Sequence, residues 1–412
     1  MSTISLKDRE ILRELASRKL ALANSKRNDE ILAMWRSQAN GIKDTPTVRL
    51  LFSNFRNEVV YSRMRCEGKE ARDIEARLLS SMVGRELFDD DTPISDRLEV
   101  NMFMWSKPFG TDPKNVRAKN SIGFHIEPIT DDIEEDFDLF CGGRFNVDRP
   151  ATEAFCAMTD EVIGDILPTR IVMPTLTGPM TNPLVKLIGM ETYYNSMYDC
   201  PETLHKIMEM ATNVHLSLYD HLEKNGLLLP TNNFSTIGQE SFAFTSELPA
   251  DGPITSTNQM WGFLEAQETT AVSPETYGEF VHPYLDRLVK RYGLLSYGCC
   301  ERVDNLWENY LSKWTNLRKL SVSPINDERN VGEQLRGTNV VYYSKPRAEF
   351  VTNKGPLDEE ALRKYFKEVA ECASGCLFEV AQREVGTIFG DFERGRRYVE
   401  IAKETIAEHW KP

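Results

Sequence analysis

The sequence of 412 residues lacks any long apolar run, and nothing in it approaches the roughly 18 residues that a bilayer crossing needs. No membrane span is therefore expected. It also lacks a clustered basic face: 49 Lys and Arg stand against 63 Asp and Glu, for a net charge of −14. Phosphate binding needs concentrated positive charge, so a nucleic-acid partner is not expected. There is no Cys-x-x-Cys and no His-x-x-x-His, the usual zinc spacings. No Gly-x-Gly-x-x-Gly follows a strand-like run, which removes the usual dinucleotide signature. Tandem repeats and low-complexity stretches are missing as well. The stretch from Met1 to Lys26 is mixed and charged, and so reads as neither a signal peptide nor an anchor. A cytoplasmic protein is expected, in which the eight cysteines are reduced thiols rather than a disulfide framework.

What is present is enough apolar residue, 41%, to build a full core. Leu6 to Gln38 and Lys69 to Leu87 read as helices, with an irregular segment over Thr45 to Asn57. Residues 1–95 are read as a helical extension packed on a catalytic domain spanning 96–412. From Leu98 onward, short apolar runs alternate with amphipathic ones. Strands are expected at Leu98–Trp105, Arg170–Pro174, Leu227–Leu229 and Ile254–Asn258. Helices are expected at Pro201–Asn225, stopped by Gly226, and at Ser273–Tyr292, with Ser273 as N-cap. The acidic run Asp131 to Asp136 reads as a solvated helix start or a docking face for a basic partner.

The last third is the most regular. Strands at Leu294–Cys299, Leu317–Ser323, Val340–Tyr343 and Leu377–Gln382 each precede a helix. Four successive β-α units demand a parallel sheet covered by helices. The spacing and length predict an α/β fold, a (β/α)₈ TIM barrel with a helical N-terminal extension; an open doubly wound sheet is the alternative.

In such a barrel the chemistry lies at the C-terminal ends of the strands. That rule selects Cys300 and Glu301, then Asn326 and Asp327, then Lys345 and Arg347, then Arg383 and Glu384. Adjacent strand side chains point to opposite faces, so the strand would aim only one of Cys299 and Cys300 inward unless it breaks at Gly298. Those thiols read either as small buried residues or as a thiolate ligand or nucleophile. If the chain is helical after Gly262, then Trp261, Glu265 and Glu268 share a face, and burial would raise a carboxylate pKa toward acid-base use. Among the histidines, His125, in a loop reading, is the site candidate; His205, His215 and His221 share a helix but no three- or four-residue spacing.

Leu187 to Glu191, Tyr198 to Glu202, Trp261 to Thr269, Tyr297-Gly298-Cys299-Cys300-Glu301, Leu317 to Pro324 and Ser344-Lys345-Pro346 together resemble the uroporphyrinogen decarboxylase superfamily. The resemblance covers about Leu98 to Glu408. It is nearest the branch of uroporphyrinogen-decarboxylase-like proteins related to corrinoid-dependent methyltransferases. It implies a TIM barrel. The Arg-rich Met-Arg-Gln-Ala-Gly-Arg-like segment of true decarboxylases has no counterpart here. The methyltransferase branch holds zinc with a His-x-Cys pair and a later Cys, where this chain has Tyr297, Cys299 and, at or near the later position, Glu384.

The function these readings lead to is a corrinoid-dependent methyltransferase acting on a small methylated compound or a methyl-corrinoid. The alternatives are a lyase of another small acid and a non-catalytic corrinoid- or tetrapyrrole-binding barrel. Glu265, Glu268 and Glu301 are the catalytic candidates. His125, Trp261, Tyr297, Asn326, Lys345 and Arg383 are the substrate-binding candidates. Cys299, Cys300 and Glu384 are the metal-ligand candidates, with zinc admitted and the corrinoid expected on a carrier protein. The readings also admit a homodimer.

Overall fold

The computed structural model describes residues 4–117 and 124–412. The strands in chain order are β1 (Thr47–Leu50), β2 (Leu98–Asn101), β3 (Phe103–Lys107), β4 (Lys114–Arg117), β5 (Phe124–Glu127), β6 (Arg144–Asp148), β7 (Thr169–Val172), β8 (Leu176–Thr177), β9 (Trp261–Leu264), β10 (Leu294–Tyr297), β11 (Leu317–Val322), β12 (Val341–Ser344) and β13 (Leu377–Gln382). Seven form one parallel sheet in the order β1-β13-β12-β11-β10-β9-β8. The four strands of the last third are thus neighbours in chain order, as their spacing predicted. Every residue of β1, β10, β12 and β13 is buried, the mark of parallel strands covered on both faces.

A separate parallel pair joins β2 to β7. β7 and β8 belong to one run, interrupted only at Met173-Pro174-Thr175. The parallel pairing therefore passes through eight strand positions, from β2 round to β1. No pairing between β1 and β2 is formed among the described residues, so the ring has an open seam there. The arrangement is barrel-like without a closed ladder.

Several local readings differ from expectation. Thr47–Leu50, expected to be irregular, is a strand, because β13 offers its edge in register from Thr47 opposite Glu379 to Leu50 opposite Gln382. The N-terminal region thus supplies a strand of the sheet as well as helices. Leu227–Leu229 and Ile254–Asn258 form no strand. Trp261 to Leu264 is extended rather than helical, paired on both sides by β8 and β10. The segment from Asp131 leads into a short 3-10 turn at Phe137–Phe140 rather than a regular helix. Capping follows the sequence more closely: Ser5, Ser25, Ser273 and Asp391 each accept a backbone N–H at the start of a helix. Gly226 adopts a left-handed φ of 60° just past the helix Pro201–Lys224.

The segment from Pro230 to Thr245 turns into the space ringed by the strands. Its only ladder contact is a bridge between Ile237 and Ser241, and both residues are fully buried. Such a segment must satisfy its polar groups internally. It does so on the inward face of the sheet. Lys319 Nζ of β11 donates to Ser241 Oγ at 2.6 Å and to the Phe242 carbonyl at 2.8 Å. The same ammonium lies 2.6 Å from Glu379 Oε2 of β13, and the Ser241 hydroxyl donates to Glu379 at 2.7 Å. Removing one partner of a buried pair strands the other charge, at about 3–5 kcal/mol. Lys319→Met should lower unfolding stability by about that amount in urea titration, and adding Glu379→Leu should restore part of it. A loss under about 1 kcal/mol would show that the pair does not anchor the segment.

Candidate active site

The ends of β9 and β10 are joined by one carboxylate. Glu301, 1% exposed, accepts the Ala266 N–H at 2.8 Å on Oε1 and the Cys299 N–H at 2.6 Å on Oε2. Gly298 makes this possible. Its φ of 101° ends the strand and breaks the alternation of side chains. A regular strand would turn only one cysteine to the site, and the break at Gly298 is the condition under which both can face it. Both thiols come to the same place, with Sγ atoms 3.7 Å apart.

The loop carbonyls are fixed from the next strand. Ser321 Oγ donates to the Cys299 carbonyl and Ser323 Oγ to that of Cys300, both at 3.2 Å. Asn326 Nδ2 donates to the Glu301 carbonyl and to Ser323, while its Oδ1 accepts the Asp304 N–H. Lys345 Nζ donates to the Cys299 carbonyl at 2.8 Å and to Gln239 Oε1, on the inward segment, at 2.6 Å. From the end of β13, Glu384 takes a left-handed φ of 59°, and its Oε1 lies 3.8 Å from Cys300 Sγ. Cys300, Lys345, Arg347, Arg383 and Glu384 line one cavity of about 470 Å³, a size suited to a small molecule. Arg383 Nη1 is buried there without a hydrogen-bond partner.

Two groups carry displaced proton affinities of opposite sense. Burial pushes Glu265 up to about 9, helped by the negative charges of Glu301 and Glu268, so it is a neutral acid at pH 7. Cys299 is lowered to about 7, first by the hydrogen bond from the Cys300 thiol and then, against the opposing effect of burial, by Lys345 and Arg383. Cys300, the donor of that bond, is raised. The site thus pairs a protonated carboxyl with a half-ionised thiol.

The remaining candidates are placed elsewhere or are already committed. The Glu268 carboxylate accepts from Thr181, Asn182 and Gln267. Glu301 and Asn326 spend their polar atoms on backbone and loop partners. Tyr297 is fully buried beneath the rim, its hydroxyl 3.0 Å from that of Tyr277 and its ring edge-on to Trp314. Trp261 begins β9, at the opposite end of the strand from Glu265, and packs with Ile237 and Leu294. His125, read as loop, lies exposed on the β4–β5 hairpin, opposite Val116. Gln239, Ser321 and Ser323 went unread. The period-two spacing of the serines at the end of β11 was a usable signal; nothing marked Gln239.

Cys299, Cys300 and Glu384 supply soft and hard donors side by side, but Lys345 and Arg383 bring positive charge to the same thiols. Among the described residues, no group of three or more His, Cys, Asp or Glu is arranged to hold a metal ion. The donor set as it stands does not fit zinc.

Compared with protein-family models and with curated proteins, the sequence matches none. Among solved structures it is similar to a methyltransferase from Methanosarcina mazei, with a TM-score of 0.52 and 12% identity, over 91% of this chain and 98% of that one. At that identity the likeness is one of fold, and it takes in almost the whole chain. No described helix is long and apolar enough to cross a membrane.

The thiol pair gives a direct test. Alkylation of Cys299 by iodoacetamide, followed by peptide mass spectrometry, should accelerate as pH rises through about 7. Lys345→Met removes a charge that favours the thiolate, so the profile should move to higher pH. An unchanged profile in that variant would remove Lys345 from the thiol's environment.

Proposed function

We propose that this chain is a methyltransferase of the uroporphyrinogen-decarboxylase-like superfamily, moving a methyl group from a small O- or N-methyl compound to a corrinoid carried by a separate protein. The observation that carries the reading is Glu265, a carboxyl kept neutral up to about pH 9 at a strand end beside the thiol pair. The fold likeness to a methyltransferase supports it. A methyl–oxygen or methyl–nitrogen bond breaks readily only if the departing heteroatom gains a proton. Glu265 donates that proton as the carbon–heteroatom bond breaks, the demethylated product departs carrying it as an O–H or N–H, and the Glu265 carboxylate is reprotonated from water. A reduced corrinoid on its carrier would supply the electron pair for the methyl carbon. A cavity of about 470 Å³, lined by Cys300, Lys345 and Arg383 with Glu265 outside its lining, has the size of a small substrate and leaves the macrocycle to its carrier. Arg383, with its unpartnered Nη1, and Lys345 orient an anionic part of the substrate.

The same unpartnered Arg383 favours a second reading, a lyase that grips a small acid through Lys345, Arg347 and Arg383. One assay separates the two. The protein is incubated anaerobically with reduced cobalamin and a panel of methoxylated and N-methylated acids, following cobalamin absorbance and carbon dioxide release. Methyl transfer should fall roughly 10²–10⁴-fold in Glu265→Gln, and in the wild type it should decline as pH rises through about 9 and Glu265 ionises. Carbon dioxide release without cobalamin methylation would replace the first reading with the second. Methyl transfer that is indifferent to Glu265→Gln would remove the acid from the mechanism.

A further inference from the structure

The seam between β1 and β2 encloses another cavity, of about 520 Å³, whose lining shares no residue with the cavity at Cys300. Its walls are β1 and the turn after it, the helix Lys69–Val83, β2, and the inward segment near Ser235. Arg56 and Arg77 both line it, with Ser80, Ser81 and Ser235.

These arginines differ from most in the chain. Arg13, Arg18 and Arg397, for example, each meet a carboxylate within 2.6 Å. Among the described residues, Arg56 and Arg77 have no carboxylate within ion-pair distance. Arg56 donates to Ser80 Oγ at 2.8 Å, and its Nε is buried with no hydrogen-bond partner. Arg77 rests on the Phe155 ring, 4.9 Å from its centre. The two are close enough for Arg56 to add to the lowering of Arg77 that burial begins. Ser235 Oγ, on a residue 5% exposed, also lacks a partner. The lining also holds two carboxylates, each engaged with another lining residue. Glu240 accepts from Ser53, and Glu99 faces Lys19 at 3.8 Å.

Two neighbouring guanidinium groups with no carboxylate in ion-pair contact, Arg77 being offset only by the more distant Asp73, gain from a negative group that joins them. Guanidinium donors form parallel pairs that match the oxygens of a phosphate or a carboxylate. The unpartnered Ser235 hydroxyl adds a donor, whereas those of Ser80 and Ser81 already donate to the Ala76 and Leu78 carbonyls. We propose that the seam cavity is an anion site, taking a small ligand whose phosphate or carboxylate group is held by Arg56 and Arg77 with the hydroxyl of Ser235. The bound anion joins the helical N-terminal region to the sheet where the strand ladder is missing. The site stands independently of the chemistry proposed at Glu265.

The test is calorimetric titration of the full chain with inorganic phosphate and, separately, with succinate, at constant ionic strength and with chloride as reference. Saturable binding of at least one is expected, weakened roughly tenfold or more in Arg56→Gln and in Arg77→Gln. Phosphate alone would identify a phosphate-bearing ligand, and succinate alone a carboxylic acid. Circular dichroism establishes that each variant is folded. Should an arginine variant fail to fold, Ser235→Ala reads the site in its place. It removes no internal hydrogen bond, and it should weaken binding severalfold without lowering the melting temperature of the ligand-free protein. No saturable binding of either anion, or binding that these substitutions leave unchanged, overturns the proposal.

Discussion

The rim is organised by one buried carboxylate. Glu301 accepts a backbone N–H from each of two neighbouring strand ends, at Ala266 and Cys299. A charge that far from water is tolerable only when its oxygens are answered by donors, and two amides answer it here. The consequence falls on its neighbours. Glu265 is adjacent in sequence to one of the clasped amides, and a second negative charge beside Glu301 would be unfavourable, so burial and Glu301 together keep Glu265 protonated. Cys299 carries the other amide, and there the Cys300 hydrogen bond, with Lys345 and Arg383, outweighs burial and the negative charge of Glu301. One fixed anion thus stands between a neutral acid and a thiol that ionises near neutrality, the separation of roles that acid-base chemistry requires.

How much of this could be read from the sequence depended on the kind of information each feature needs. The strands β10 to β13 were legible because each is a short apolar run followed by an amphipathic helix, and a buried parallel strand needs no more. The Cys-Cys-Glu step was legible as chemistry because its residue types are reactive. What each polar atom is spent on was not. Glu301, Glu268 and Asn326 look like site residues by type, but their hydrogen-bonding capacity is consumed by Ala266, Cys299, Thr181, Asn182 and Ser323. Those partners are fixed by tertiary contact alone. Thr47–Leu50 was missed because four residues carry little periodicity, and its pairing with Leu377–Gln382 spans more than 300 residues of chain. Gly298 was legible in the motif as the place where a break would let both thiols face inward, but whether the strand breaks there is decided by the fold.

The inward segment from Pro230 to Thr245 poses the opposite problem, since its composition resembles a surface loop. Asn232, Asn233, Ser235 and Ser241 are nevertheless buried. Asn232 shows how this is tolerated: its side chain donates to the carbonyls of Thr245 and Leu248 and accepts the Thr245 N–H, replacing a ladder with one amide group. At the tip, Gln239 and Glu240 both take left-handed backbone conformations, which cost energy for residues other than glycine. The contacts that hold the tip come from the sheet, with Tyr343 bonded to the Gln239 carbonyl, Lys345 to its side chain and Arg49 to the Glu240 carbonyl.

Three buried lysines share one task. Lys19 donates to the carbonyls of Ser95 and Arg97 in the link leading to β2. Lys319 donates to Phe242 in the inward segment, and Lys345 to Cys299 in the loop after β10. Each acceptor lies in irregular backbone whose carbonyls no strand ladder meets. A buried carbonyl without a donor is costly, and a barrel with an open seam and an occupied interior has many of them. An ammonium on a long flexible stem supplies up to three donors at a distance from its own strand or helix, so it can reach such backbone where sheet pairing cannot. Burial lowers the proton affinity of all three lysines, and the carbonyls and carboxylates around them offset that tendency. The positive charges kept inside an otherwise acidic protein thus serve first to hold irregular backbone in place. At Lys345 the same placement also sets the charge of a thiol at the rim.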